Sequence, residues 1–213
     1  MKKPLLLILL VLLVDQFVKV WIKTHFYLGQ EYKIADWFII HFTENNGMAF
    51  GMEFAGEYGK LFLSIFRILA VAGIFYYLWK ISRDGSPKGL VYSIALIFAG
   101  ALGNILDSTF YGILFNDSYH QVASFLPESG GYAPFLYGRV VDMLYFPLFS
   151  GFFPDWFPIW GGEHFLFFRP VFNVADTAIS VGVGLIIVFQ RRFFTNPKIE
   201  AAQTNVDPET DES

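Results

Sequence analysis

Cysteine is absent from the 213 residues, so disulfides, thiolate metal sites and a cysteine nucleophile are all excluded. Charge is scarce as well: 16% of residues are charged and 54% hydrophobic, where an ordinary soluble domain carries roughly a quarter charged residues. That balance argues against a water-soluble enzyme. A net charge of -4 is not that of a nucleic-acid binder, and much of the acidity sits in the last residues. No H-E-x-x-H occurs among His25, His41, His120 and His164, and no G-x-S-x-G occurs anywhere, which removes the usual zinc-peptidase pair and the commonest serine-hydrolase elbow. The histidines lack metal-ligand spacing and read as interfacial residues, so no metal and no other cofactor is assigned.

What the chain has instead is apolar length and aromatic rings. Phe, Tyr and Trp make up 20% of it and cluster near the ends of apolar runs, where amphipathic rings favour the membrane-water interface. Four stretches, 4–22, 61–79, 90–106 and 170–189, approach the ~20 residues that cross a bilayer core as a helix. Lys2 and Lys3 ahead of Leu5 to Val14 resemble a signal peptide. No small-x-small cleavage site follows and apolar character resumes at Phe17, so the segment is expected to stay as an uncleaved helix. The expected fold is an all-α integral membrane protein of four transmembrane helices, with a small β-rich extracytoplasmic part and an interfacial segment.

Four spans put both termini and the turn between spans two and three on one side. That side carries Lys2, Lys3, Lys80, Arg83, Lys88, Arg191, Arg192 and Lys198, and the positive-inside rule makes it cytoplasmic. The long connections, 23–60 and 107–169, then face outward. Tyr32, Ile34 and Trp37 to Phe42 are β-prone, while Phe152, Phe153, Trp156, Phe157 and Trp160 belong at headgroup level. The membrane domain is expected to cover 1–194, followed by a solvated acidic cytoplasmic tail over 195–213.

Ionisable residues inside or at the rim of a span are costly and are functional candidates by default. In this orientation Asp15, Asp107 and Asp176, the last about two turns into span four, converge near the outer surface, and Asp142 follows the apolar Val140 and Val141 in the outer connection. Two carboxylates brought close share one proton, so one can act as base on a water while the other acts as acid toward a carbonyl. The alternatives from sequence are ion pairs with Lys19, Arg67 or Arg139 that only hold helices together, or a small proton-coupled transporter or assembly factor using the same acids. The glycine-rich steps Ala99-Gly100, Gly103, Gly182 and Gly184 read as close helix packing. Gly47, Gly138 and Gly151 read as flexible backbone near the site.

Taken together, the polar islands resemble those of the signal peptidase II family, the lipoprotein signal peptidases, which are four-helix membrane aspartic peptidases of bacteria. Asp15-Gln16 with Lys19 is similar to the first-span signature, and Asn45-Asn46-Gly47-Met48-Ala49-Phe50 to the N-x-G-x-A-F box. Gly103-Asn104-Ile105-Leu106-Asp107 resembles G-N-x-x-D, Gly138 to Asp142 resembles G-x-V-x-D, and Phe172 to Asp176 resembles F-N-x-A-D.

The resemblance implies Asp142 and Asp176 as the catalytic pair, cutting N-terminal to the diacylglyceryl-cysteine of a lipid-modified prolipoprotein. It implies Asn45, Asn104, Asp107, Arg139, Asn173, Asp15 and Lys19 as substrate-binding or supporting residues; from the residues alone, Asn104 and Asn173 serve equally well as helix-end caps. It further implies a protein of the bacterial inner membrane, working among membrane lipids; the orientation above puts its site at the outer surface, and a monomer is expected. Two departures stand out: Ser108 replaces the arginine that usually follows the G-N-x-x-D box, with Arg139 a candidate substitute, and Tyr111 to Leu136 looks like an insertion.

Overall fold

The computed structural model describes residues 2–46 and 56–194. Helix α1 (Lys2–His25) grows from a leucine-rich run, with Pro4 in its first turn, where the missing N–H has no intrahelical partner to lose. It leaves Leu6, Leu9, Leu10, Leu13 and Phe17 exposed, an outer face suited to hydrocarbon rather than water. Helix α2 (Gly56–Arg83) and helix α3 (Lys88–Leu106) follow. Helix α3 runs on through a π-helical turn, Asp107–Tyr111, into the short α4 (Gly112–Leu114). Helix α5 (Val174–Val188) and a short α6 (Gln190–Phe194) close the described chain.

Three of the helical segments, Lys2–His25, Gly59–Arg83 and Lys88–Leu114, are long and apolar enough to cross a membrane, while α5 has only 15 residues. It starts four residues later than the apolar stretch, which begins at Pro170. Val171–Phe172 is taken into a strand, and Asn173, with extended backbone, caps the helix. Asp176 therefore sits in the first turn of α5, not two turns inside it.

Helix α3 is the central element, packed against α1, α2 and α5. Small residues make this possible: a side chain at Gly100 would lie 2.2 Å from the Ala175 carbonyl oxygen, and one at Gly182 would meet the Ser93 carbonyl at 2.6 Å. Gly184, by contrast, faces open space. Ile8, Val71, Leu78, Leu90, Ala95, Phe98 and Ala99 fill the core between these helices.

The description all-α is too narrow, because the described residues include six strands at one end of the bundle. Strands β1 (Glu31–Ala35), β2 (Phe38–Asn45), β3 (Val140–Tyr145) and β6 (Val171–Phe172) form one antiparallel sheet in the order β1-β2-β3-β6. Thr43 pairs with Asp142, and Leu144 with Phe172. Between β3 and β6 the chain leaves the sheet as a hairpin of β4 (Phe149–Phe152) and β5 (His164–Phe167). Trp156 is 78% exposed beside it, in keeping with an interfacial segment.

A second core of Ile22, Phe26, Phe42, Phe115, Val141 and Met143 joins the sheet to the end of α1 and to the inserted segment. Gly47 to Phe50 of the N-x-G-x-A-F box and the acidic tail 195–213 lie outside the described residues.

Candidate active site

Strand β3 and the start of α5 bring Asp142 and Asp176 to one polar centre through Asn173. The Asn173 side-chain amide donates to Asp142 Oδ1 at 2.7 Å and to Asn104 Oδ1 at 3.1 Å. Its side-chain oxygen accepts from the Asp176 backbone N–H at 2.9 Å, and its own backbone N–H donates to Asp176 Oδ2 at 3.3 Å, a reciprocal capping box. Asn104 Nδ2 completes the ring by donating to Asp176 Oδ1 at 2.8 Å. Asn173 is thus a helix cap and a carboxylate partner at once, whereas Asn104 caps nothing and serves Asp176.

Asp142 is 5% exposed, and its carboxyl is pushed up to about 7 by burial first and by the charge of Asp176 second. The Asn173 hydrogen bond works the other way. Asp176 is half-buried, so the pair has one enclosed and one more accessible member.

Beneath the pair lies a second charged layer. Helical spacing puts Asp15, Lys19 and Lys23 on one stripe of α1. Lys19 Nζ reaches Asp15 at 2.9 Å, Asp107 at 2.8 Å and Asn104 Oδ1 at 2.9 Å, so its three N–H bonds are all used. Asp15 Oδ1 accepts from the Ala175 N–H at 2.8 Å in the first turn of α5, and Asp107 Oδ2 from the Val141 N–H at 3.3 Å in β3. Each acid therefore holds the backbone next to a member of the upper pair. Gln16 bridges the two acids through Nε2, at 3.1 Å from Asp15 and 2.9 Å from Asp107, and accepts from Tyr111. The π-helical turn delivers Asp107 and Tyr111 to this layer.

Arg139 does not join this group. Its guanidinium donates to Glu44 at 3.0 Å and Asp117 at 3.3 Å and lies over the Tyr132 ring, so it does not take the place of the family arginine beside Asp107. Ser108 donates to the Asn104 carbonyl oxygen, and Asp107 draws on Lys19 and Gln16. Asn45 ends β2 at the exposed rim, paired with Val140, and Arg67 lies within electrostatic reach of Asp176. Gly138 is a site of close approach rather than of loose backbone: a Cβ there would lie 2.2 Å from the Asp107 carbonyl oxygen.

Lys23 and Glu44 form a buried ion pair that sequence reasoning missed, with the Lys23 ammonium also bonded to Ser118 at 2.9 Å. Ser118, Asp117 and Tyr132 all come from the inserted segment, which thereby seals the end of α1 against β2. The i, i+4, i+8 spacing of Asp15, Lys19 and Lys23 was the available signal. Glu44 in β2 had none, since its partners are remote in sequence.

Apolar helices closed at one end by a sheet, with two linked carboxylates where they meet, define a membrane protein with an acid-pair centre. The family model described as signal peptidase (SPase) II matches residues 7–192, and the chain belongs to that family of aspartic peptidases. A lipoprotein signal peptidase of Porphyromonas gingivalis is 51% identical over 183 residues, covering 85% of this chain and 80% of the relative. One of Amoebophilus asiaticus is 40% identical over 202 residues, covering 92% and 81%.

A bacterial membrane enzyme solved in meso at 1.9 Å shares the fold at a TM-score of 0.58 and 24% identity, covering 88% of this chain and 92% of that one. Membership in a peptidase family leaves the transporter and assembly-factor alternative without support.

Proposed function

We propose that the chain cuts the signal peptide from lipid-modified prolipoproteins, N-terminal to the diacylglyceryl-cysteine, with Asp142 and Asp176 as the catalytic pair. The observation that carries this reading is the hydrogen-bonded ring of Asn173 and Asn104 that holds both carboxylates in one centre. Asp142, enclosed and raised to about 7, holds the shared proton and donates it toward the scissile carbonyl oxygen. Asp176 accepts two N–H bonds and stands at the N-terminus of α5, an arrangement that suits an anion, and it polarises the attacking water. No side-chain nucleophile is needed. Asn45, Asn104, Asp107, Arg139, Asn173, Asp15 and Lys19 support the pair or the strands that carry it.

The apolar helices support a chain that spans the inner membrane four times, the short α5 being completed by its flanking residues. The basic residues at the opposite end support cytoplasmic termini and a site at the outer surface. A diacylglyceryl substrate fits that depth, because each buried CH₂ contributes about 0.8 kcal/mol of anchoring at the interface. The chain acts as a monomer in this reading. Incubating the purified protein with a lipidated precursor and mapping the cut by mass spectrometry tests it; a cut elsewhere, or none, overturns it.

A further inference from the structure

Two cavities flank the first turn of α3, at the end of the bundle remote from the acid pair and ~27 Å away along that helix. One, of about 530 Å³, is lined by Lys2, Lys3, Ser82, Lys88 and Tyr92. The other, of about 540 Å³, lies between α3 and the end of α5, with Leu185, Phe189 and Phe193 as walls and Lys88, Tyr92 and Arg192 at its rim. Lys88 and Tyr92 line both.

Among the described residues no carboxylate forms an ion pair with Lys2, Lys3, Lys88 or Arg192. The Ser82 hydroxyl beside the first cavity is buried with no hydrogen-bond partner. A buried polar atom without a partner is costly, and so is an uncompensated cluster of like charge. A cavity rimmed by three ammonium groups and holding an unpartnered hydroxyl, next to an apolar slot, has the chemistry of a phosphate on an acyl chain.

We propose that this end of the bundle is a binding site for an anionic glycerophospholipid. The phosphate sits among Lys2, Lys3 and Lys88 and accepts a hydrogen bond from Ser82. One acyl chain lies in the slot between α3 and α5, and Arg192 meets the headgroup from the other side. Both halves of the ligand are needed to use both cavities, which separates it from free phosphate and from a neutral lipid.

The full chain, purified in detergent, is titrated with phosphatidylglycerol and separately with phosphatidylcholine, and bound lipid is read by native mass spectrometry. Phosphatidylglycerol is expected to bind at about tenfold lower concentration, a difference of about 1.4 kcal/mol. The triple variant Lys3→Gln, Lys88→Gln, Arg192→Gln should erase the preference. The single variant Lys88→Gln, altering the residue common to both cavities, should reduce it even if the triple does not fold.

Equal binding of the two lipids overturns the proposal, as does a preference that survives these changes. Displacement of the lipid by millimolar inorganic phosphate alone would make this a free-phosphate site and also overturn it. So would lipid binding that appears only after Glu200, Asp207, Glu209, Asp211 and Glu212 are changed to amides, which would make the chain's own acidic tail the occupant.

Discussion

The side-chain amide of Asn173 donates to Asp142 Oδ1 at 2.7 Å, tying the last residue before α5 to the middle of β3. Because the same side chain caps α5, Asn173→Ala should cost about 1 kcal/mol of stability from the lost cap. It should also lower the rate of precursor cleavage at least about a hundredfold from the lost donor. Asn173→Ser separates the two effects, keeping a capping oxygen while removing the amide that reaches Asp142. Thermal unfolding should recover in that variant and cleavage should not.

Asp142→Asn and Asp176→Asn should each reduce cleavage of a lipidated precursor by about ten-thousandfold. An asparagine at 176 still accepts from the Asn173 N–H, so the cap persists. Both proteins should remain folded, with melting temperatures in detergent close to that of the unaltered chain. Retained cleavage in either would remove that residue from the catalytic pair.

Asp142 is raised to about 7, so the neutral form persists up to that pH and is lost above it. The cleavage rate should therefore fall as pH rises through about 7, with the slope of one proton. A proton held more tightly in the folded than in the unfolded chain also stabilises the fold most below the ordinary carboxylate range. This contribution falls as pH climbs toward 7. A rate that keeps rising through that window would show that Asp142 does not hold the catalytic proton.

Lys19→Met should leave Asp15 and Asp107 facing each other without a cation, at a cost of about 3–5 kcal/mol. Changing Asp107→Asn in the same chain should recover part of that loss, because one of the two stranded charges is gone. Chemical denaturation of the single and double variants in detergent measures the coupling. Independent effects would mean that Lys19 holds the layer together by packing rather than by charge.

Glu44→Gln removes the anion shared by Lys23 and Arg139. Breaking this buried pair should destabilise by about 3–5 kcal/mol and loosen the inserted segment first, which proteolysis within 116–136 would detect. Unchanged protection of that segment would separate it from the ion pair.

Three of the four expected spans, the strand-prone residues near Trp37 and the convergence of the acids were legible because each leaves a local mark: apolar length, β-branched and aromatic runs, and charge where none is cheap. The depth of Asp176 was misjudged because hydropathy runs through Pro170 to Phe172 unbroken, while the cap at Asn173 decides where the helix begins. The partner of Arg139 was unreadable for a different reason. Glu44 lies 95 positions away, and only the sheet register, which pairs Glu44 with Val141, brings it within reach. Gly138 reads as flexible backbone in the sequence because glycine permits both mobility and close contact, and sequence does not separate the two.

Leu144 pairs with Phe172 and Tyr145 with Val171, so residues 146–170 leave and rejoin the sheet at neighbouring points. Everything between is a closed excursion whose length is free to vary without altering the span between the two acids. The architecture thus keeps its chemistry on a fixed frame and leaves a port beside it where evolution, or an engineer, can graft new recognition elements.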